Sequence, residues 1–139
     1  MIDRCGANNS DFANIIRAHD RRRSWSMGGA DRRPLAGTPV TACLTQRHNN
    51  RLGAVYSSLY SFLTARAAVG AGAGSNRRDA YSIILFESTS TTCITNDFAS
   101  TPDQLLNQVM AYTSGGGTNY TDALTRTQSV MEANWSTER

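Results

Sequence analysis

Two strand-like segments joined by a very short connection constrain the fold more than any other feature of the chain. Residues 80–86 form an almost continuous apolar run, and residues 91–95 carry the β-branched alternation typical of a strand. Residues 87–90 alone separate the two segments, whereas a parallel crossover needs about a dozen residues or more. The sequence therefore predicts an antiparallel hairpin, and its apolar first strand is suited to cover on both faces.

A helix is predicted before the hairpin, from Arg51 to about Ala68, because apolar side chains recur there at helical spacing. Tyr56 and Tyr60 lie on an adjacent stripe, which we interpret as core packing and not as a cofactor pocket. The side chains expected on the main buried face are Leu52, Val55, Leu59, Phe62 and Leu63.

Two further helices are predicted after the hairpin. Thr101 and Pro102 have the pattern of an N-cap followed by proline at the first helical position. The last helix is expected from about residue 121 to residue 135. We expect Leu105, Leu106, Val109 and Met110 to be buried in the first of these helices, and Leu124, Thr127, Val130 and Met131 in the second.

The remaining segments are interpreted as loops. Residues 28–50 show no period of 2 or 3.6 and predict a long loop, of which residues 30–50 are basic. The glycines of residues 70–76 lack the lysine and the strand-to-helix context of a phosphate loop, so they predict a linker. All fourteen basic residues are arginine, and a solvated basic surface is favoured over nucleic-acid binding, which stays open as an alternative.

A glycine-rich turn between the last two helices is the main candidate for a binding loop. Gly115, Gly116 and Gly117 allow a tight bend and a close approach of backbone to a ligand. Thr118 follows with a hydroxyl, and it is interpreted either as a ligand residue or as the cap of the last helix. Asn119 completes the predicted binding loop.

Together with the earlier Ser24-Trp25-Ser26-Met27-Gly28-Gly29, this loop resembles the first half of a von Willebrand factor A domain. That family carries the pattern D-x-S-x-S after its first strand and a threonine on a later glycine loop. The resemblance implies an α/β fold with part of a doubly wound sheet, about three strands with flanking helices. It also implies a metal-ion-dependent adhesion site in which Ser24, Ser26 and Thr118 hold Mg²⁺ or Mn²⁺ and a protein partner's acidic side chain completes the shell.

The chain departs from the family pattern at the first metal motif. Arg22 stands where the family has an aspartate, so Asp20 is considered as a displaced acid and Asp122 as a further, less favoured ligand. The third metal loop of the family would follow residue 139. The resemblance covers residues 24–139 and is best over residues 51–139, whereas residues 1–23, with a short strand expected at residues 12–16, match poorly. We therefore expect a truncated domain and an incomplete metal site.

The function expected from this resemblance is protein binding by an intracellular module. No triad order, paired carboxylates or activated cysteine indicates an enzyme. No secretory signal or membrane span is recognised, and three widely spaced cysteines are interpreted as free thiols, so a cytoplasmic location is expected. The alternatives are an arginine-rich nucleic-acid-binding domain and a non-functional fragment of a larger protein.

Overall fold

The computed structural model describes residues 26–72 and 79–134, and within them the chain has a mixed α/β fold. Its elements, in chain order, are the helices α1 (Thr41–Arg47) and α2 (Arg51–Gly72), the strands β1 (Tyr81–Phe86) and β2 (Ser90–Asp97), and the helices α3 (Pro102–Met110) and α4 (Tyr120–Asn134).

The predicted hairpin is confirmed. β1 pairs with β2 in antiparallel register, from Tyr81 opposite Asp97 to Phe86 opposite Ser90. In the described part of the chain the sheet has these two strands and no parallel pair. The expected strand at residues 12–16 lies outside the described residues, so the doubly wound arrangement stays a prediction.

The prediction of a loop throughout residues 28–50 is wrong, because α1 lies within it. This helix buries a single residue, Leu44, and therefore has no apolar period that a sequence pattern shows. At the other end of α2, the glycine run at residues 70–72 is helical, so the helix is longer than expected.

The core forms where α1, α2 and α3 pack together against one side of the hairpin. Ile94 is the buried contribution of β2, and Tyr81 and Ile83 of β1 pack against the same cluster. The four residues expected on the buried face of α3 are all buried. The buried hydrophobic side chains of this cluster are Val40, Leu44, Leu52, Tyr56, Tyr60, Leu63, Ile94, Leu105, Leu106, Val109 and Met110.

The buried face of α2 is rotated from the one expected. Tyr56 and Tyr60 are 1% and 6% exposed, whereas Val55 and Phe62 are 49% and 55% exposed. The tyrosine stripe enters the core because the Tyr56 hydroxyl finds backbone acceptors there, which removes the usual cost of burying a polar group. Core packing of the tyrosines is confirmed, and the inward placement of Val55 and Phe62 is wrong.

Side chains cap the N-termini of two helices. Thr101 and Gln104 form a reciprocal capping box at the start of α3, with Pro102 in the first turn, as the sequence predicts. At the start of α2 the Asn50 Oδ1 accepts a hydrogen bond from the Gly53 amide at 3.1 Å. This asparagine cap stabilises the start of α2, which follows α1 after a short connection.

The inward face predicted for α4 is wrong at its largest residues. Leu124 and Met131 are 68% and 57% exposed, and Ala123 is the residue that this helix buries. Among the described elements α4 contacts only the two strands, so the hairpin separates it from α2 and α3. The described part of the chain thus offers α4 too little surface to bury its apolar stripe.

The interpretation of the cysteines as free thiols holds for Cys93 and is wrong for Cys43, which is disulfide-bonded. Burial raises the pKa of the Cys93 thiol, so this free cysteine is not activated as a nucleophile. Among the helices described, none has the length and apolar character needed to cross a bilayer.

Candidate functional site

The predicted binding loop is fastened to the turn of the hairpin. The Asn119 amide donates to the Glu87 carbonyl at 2.6 Å, and the Gly117 amide donates to Ser88 Oγ at 2.9 Å. The side-chain amide of Asn119 also donates to the Ser88 carbonyl at 3.2 Å. Three hydrogen bonds therefore hold the loop against residues 87–88, and the start of α4 is placed beside the end of β1.

Gly116 is the position at which this loop requires glycine. Its φ is +74°, a left-handed conformation that other residues rarely adopt. A Cβ atom there would lie 2.6 Å from Glu87 Oε2 and 2.8 Å from Glu87 Cδ. The glycine turn thus approaches the chain's own hairpin, and the predicted approach to a ligand stays a prediction.

The structure separates the two interpretations of Thr118. The N-cap of α4 is Asn119, whose Oδ1 accepts a hydrogen bond from the Asp122 amide at 3.1 Å. Thr118 is exposed and makes no hydrogen bond to another described residue. Capping of α4 therefore does not account for Thr118.

Asp122 connects the first turn of α4 to the start of β2. Its Oδ2 accepts a hydrogen bond from the Ser90 amide, and its backbone carbonyl lies 3.5 Å from Ser90 Oγ. Hydrogen bonds from the Ser90 hydroxyl and amide hold the pKa of the Asp122 carboxyl below its usual value. A negative charge in the first turn also complements the helix dipole, so this carboxylate has a structural use within the fold.

Ser26 belongs to a different part of the molecule, beside the first turn of α2. Its carbonyl accepts a hydrogen bond from Arg51 Nη1 at 2.8 Å, and the same guanidinium binds Asp31 through two contacts of 2.6 and 2.9 Å. The same arginine therefore binds the Ser26 carbonyl and forms an ion pair with the Asp31 carboxylate. Ser24, Asp20 and Arg22 lie outside the described residues.

Two of the predicted metal ligands already have partners within the fold. Mg²⁺ and Mn²⁺ are held by oxygen ligands that include carboxylates, because anionic charge offsets the cost of dehydrating the ion. Ser26 lies beside a guanidinium, and the Asp122 carboxylate is occupied by Ser90. No cluster of three histidine, cysteine, aspartate or glutamate residues that suits a metal is found in the described ranges.

We expect the isolated chain to bind Mn²⁺ no more tightly than about millimolar, since neutral hydroxyls alone hold such an ion weakly. Isothermal titration of the 139-residue protein measures this, and the Thr118→Ala variant, which lacks the loop hydroxyl, is the matched control. The wild type and the Thr118→Ala variant are expected to give equally small heats of Mn²⁺ binding. Micromolar binding that the Thr118→Ala change abolishes would contradict the prediction and restore the threonine as a ligand.

A buried polar cluster that the sequence did not reveal supports the start of the binding loop. His48, 4% exposed, places Nε2 3.1 Å from the Met110 carbonyl, and its ring meets Tyr56 edge-on at 5.3 Å. The Tyr56 hydroxyl lies 2.8 Å from the Val109 carbonyl and 3.1 Å from that of Tyr112. Burial lowers the pKa of His48, so the neutral imidazole is favoured in this cluster.

The cluster has no catalytic arrangement. Its partners are backbone carbonyls at the end of α3, so the His48 ring and the Tyr56 hydroxyl fix the point at which the chain leaves that helix for the glycine turn. In the sequence His48 has no neighbour at metal-ligand spacing, and no pattern relates it to Met110, which is distant along the chain. The tyrosine stripe of α2 is the sequence pattern that indicated one member of this cluster, Tyr56.

An exposed apolar strip runs from the end of β1 along α4. We name it the β1–α4 surface and define it by Phe86, Tyr120, Leu124 and Met131, which are 43%, 66%, 68% and 57% exposed. The rings of Phe86 and Tyr120 lie 5.3 Å apart, which joins the strand to the helix. At about 100° per residue the three α4 side chains fall within one sector beside the buried Ala123.

Comparison with family models, with curated proteins and with solved structures found no match for this chain. The resemblance to von Willebrand factor A domains therefore rests on the motif residues and on the order of the elements.

Proposed function

We propose that the chain is a protein-interaction module of the von Willebrand factor A type, and that it binds its partner through the β1–α4 surface. The observation that carries the proposal is the continuous exposure of Phe86, Tyr120, Leu124 and Met131 on one side of the molecule. Large apolar side chains grouped in this way are typical of binding surfaces, whereas single exposed ones are common on any protein. In this proposal the metal-ion-dependent adhesion site is incomplete.

The size of the surface indicates modest affinity. Full burial of one large apolar side chain contributes roughly 1.5–3 kcal/mol, and these four are about half exposed, so their burial contributes roughly 3–6 kcal/mol. Micromolar binding requires about 8 kcal/mol net. A partner must therefore also make polar contacts around the apolar surface.

The arginine side chains give less support to nucleic-acid binding. Arg51 forms an ion pair with Asp31, and Arg66 forms one with Asp79, with shortest N–O distances of 2.6 and 2.7 Å. A guanidinium that already has a carboxylate partner has less to gain from a phosphate.

Site-specific photo-crosslinking tests the proposal. A photoreactive residue replaces Leu124 on the surface, and a second protein carries it instead at Thr64, an exposed position of α2. Added to an extract of the source cells, the Leu124 probe is expected to yield discrete adducts that excess unmodified chain competes away. Because the metal site is proposed to be incomplete, a chelator is expected to leave the yield unchanged.

The Met131→Lys change, made in the chain that carries the Leu124 probe, places a charge on the same surface and is expected to reduce the yield at least tenfold. The Thr64 probe is the matched control and is expected to give no competed adduct. Equal labelling from the two positions, or adducts that Met131→Lys leaves unchanged, would show that this surface is not a binding site.

A further inference from the structure

We infer that His48 is a pH-sensitive switch, and that protonation of its imidazole releases α1 from the junction of α2 and α3. The inference goes beyond the proposed function, because it does not use the β1–α4 surface. Among the described elements α1 contacts neither strand of the hairpin nor α4. Acid is the signal, the buried ring is the sensor, and a short helix is the element that responds.

The first observation is that His48 belongs to the face that α1 buries. The Leu44 amide donates to the Val40 carbonyl at 2.9 Å, and the His48 amide donates to the Leu44 carbonyl at 2.7 Å. One helical row therefore joins the three residues, which are 4%, 0% and 4% exposed in chain order. His48 is the polar member of this row, so a charge on its ring would lie where α1 packs on the core.

The second observation concerns the ring nitrogen that takes an added proton. Nε2 lies 3.1 Å from the Met110 carbonyl oxygen, which only accepts hydrogen bonds, so Nε2 carries the proton of the neutral ring. An added proton therefore goes to Nδ1, and this nitrogen forms no hydrogen bond with a described residue. Protonation thus creates a charge and an unpaired donor in a buried place, and both cost free energy.

The third observation is that no negative charge of the described residues faces the ring. The charge that acts on it is that of Arg47, which repels a second positive charge. From α2 the ring meets Tyr56 edge-on, and Cys93 and Tyr112 interact with that tyrosine. Burial raises the pKa of each of these three groups, so all of them stay neutral as the pH falls. The imidazolium therefore has no counter-ion among them.

The direction of the pH dependence follows from these contacts. Burial lowers the pKa of His48, and the hydrogen bond to Met110, which acts in the opposite direction, offsets only part of this effect. The neutral ring therefore contributes its full stabilisation above the ordinary histidine pKa of about 6.5. This stabilisation is lost as the pH falls from there to the lowered pKa of the folded state. Each pH unit between the two values favours opening about tenfold.

The fourth observation is that α1 has few contacts with the rest of the described fold. It has 7 residues, lacks a side-chain cap at its N-terminus and packs, among the described elements, against α2 alone. Helices this short depend on tertiary contacts. α2 and α3 also pack against each other, and α3 packs against β2, so they keep contacts when α1 opens. The disulfide of Cys43 does not break in acid, so α1 stays tethered while its buried face opens.

Proton NMR of the imidazole rings, recorded as a function of pH, tests the sensor. The chain has 2 histidines, so in the His19→Gln variant His48 supplies the single imidazole titration. Its pKa is expected to lie below the ordinary value of about 6.5. A pKa at or above that value overturns the inference.

Hydrogen exchange, corrected for the intrinsic effect of pH on the exchange rate, identifies the element that responds. From about pH 7.5 to about pH 5, protection of the Leu44 and His48 amides is expected to fall at least about fivefold. Protection of the α3 amides is expected to change less than about twofold. His19→Gln is the matched control and is expected to behave as the wild type. His48→Gln keeps a donor for the Met110 carbonyl and cannot be protonated, so α1 is expected to be equally protected at both pH values.

The remaining outcomes also decide the matter. An equal loss of protection in α1 and α3 overturns the inference, because acid then weakens the whole fold. A pH dependence of α1 that persists in His48→Gln, or that His19→Gln abolishes, overturns it as well. If His48→Gln does not fold, the pKa of His48 and the exchange of α1, both measured in His19→Gln, decide by themselves.

Discussion

Replacing Gly53 with alanine is expected to destabilise the protein by at least about 3 kcal/mol, the upper part of the range for overpacked sites. A Cβ atom at this position would lie 1.8 Å from the His48 carbonyl oxygen, 2.9 Å from its carbon and 3.0 Å from Pro34 Cγ. The first two contacts are with backbone, which no rotamer change relieves. The start of α2 must therefore move away from the end of α1, with loss of the cap from Asn50.

The stability change expected for Gly53→Ala is opposite in sign to the one that helix propensity predicts. Alanine is about 1 kcal/mol more favourable than glycine inside a helix, so propensity alone predicts that this change stabilises α2. The free energies of unfolding of the wild type and of Gly53→Ala, measured in urea, decide between steric overlap and helix propensity. Gly37→Ala is the control: its φ is +76°, and a Cβ atom there meets nothing within 4 Å, so only the backbone strain of about 1–2 kcal/mol is expected. An alanine variant at position 53 as stable as the wild type would contradict the close packing of α1 on α2.

This position shows which part of the fold a sequence pattern predicts. The hairpin followed from the length of its connection, and α3 from Thr101 and Pro102, because both signals act between residues close in the chain. The approach of Gly53 to His48 has no such signal. It depends on the angle between two helices, which periodicity does not contain.

The buried face of α2 illustrates a second limit. A ranking by hydrophobicity places Phe62 inside before Tyr56, but the structure buries the tyrosine and exposes the phenylalanine. The decisive factor is the pair of carbonyls at the end of α3, which accept the tyrosine hydroxyl. Acceptors that belong to a helix some fifty residues further along the chain become visible only in three dimensions.

For the candidate site, the sequence predicted the backbone bend of the glycine turn but not the residues that the turn contacts. The glycine-rich turn predicted a tight bend within residues 115–117, and the structure places Gly116 of this turn at positive φ. The sequence did not show that the turn docks on residues 87–88, or that Asn119 caps α4 and leaves Thr118 exposed. For α4, the predicted inward face is wrong at Leu124 and Met131, because the described elements that contact this helix leave these side chains exposed.

Replacing Tyr56 with alanine is expected to cost about 3–5 kcal/mol, the usual effect of removing a buried aromatic side chain, because its ring is 1% exposed at the junction of α1, α2 and α3. Tyr56→Phe keeps the ring and removes the hydroxyl. It is expected to cost about 1–3 kcal/mol, since the carbonyls of Val109 and Tyr112 then lose a donor in a buried place. Burial raises the pKa of this phenol, so the hydroxyl stays a donor throughout the pH range in which the protein is studied.

The phenylalanine variant also separates global stability from the order of the binding loop. Tyr112 is the residue at which the chain passes from α3 to the glycine turn, so loss of its bond to Tyr56 is expected to speed hydrogen exchange in residues 112–119 more than in α2. Tyr81→Phe is the matched control, because its hydroxyl lies 3.4 Å from Asp79 in an exposed position. Removal of that hydroxyl is expected to change the free energy of unfolding by less than about 0.5 kcal/mol. If both variants lose the same stability and leave residues 112–119 equally protected, the Tyr56 hydroxyl does not hold the loop. If only Tyr56→Phe releases these residues, the position of Thr118 and of the start of α4 depends on a single buried hydroxyl, and the β1–α4 surface depends on it too, because Tyr120 begins that helix.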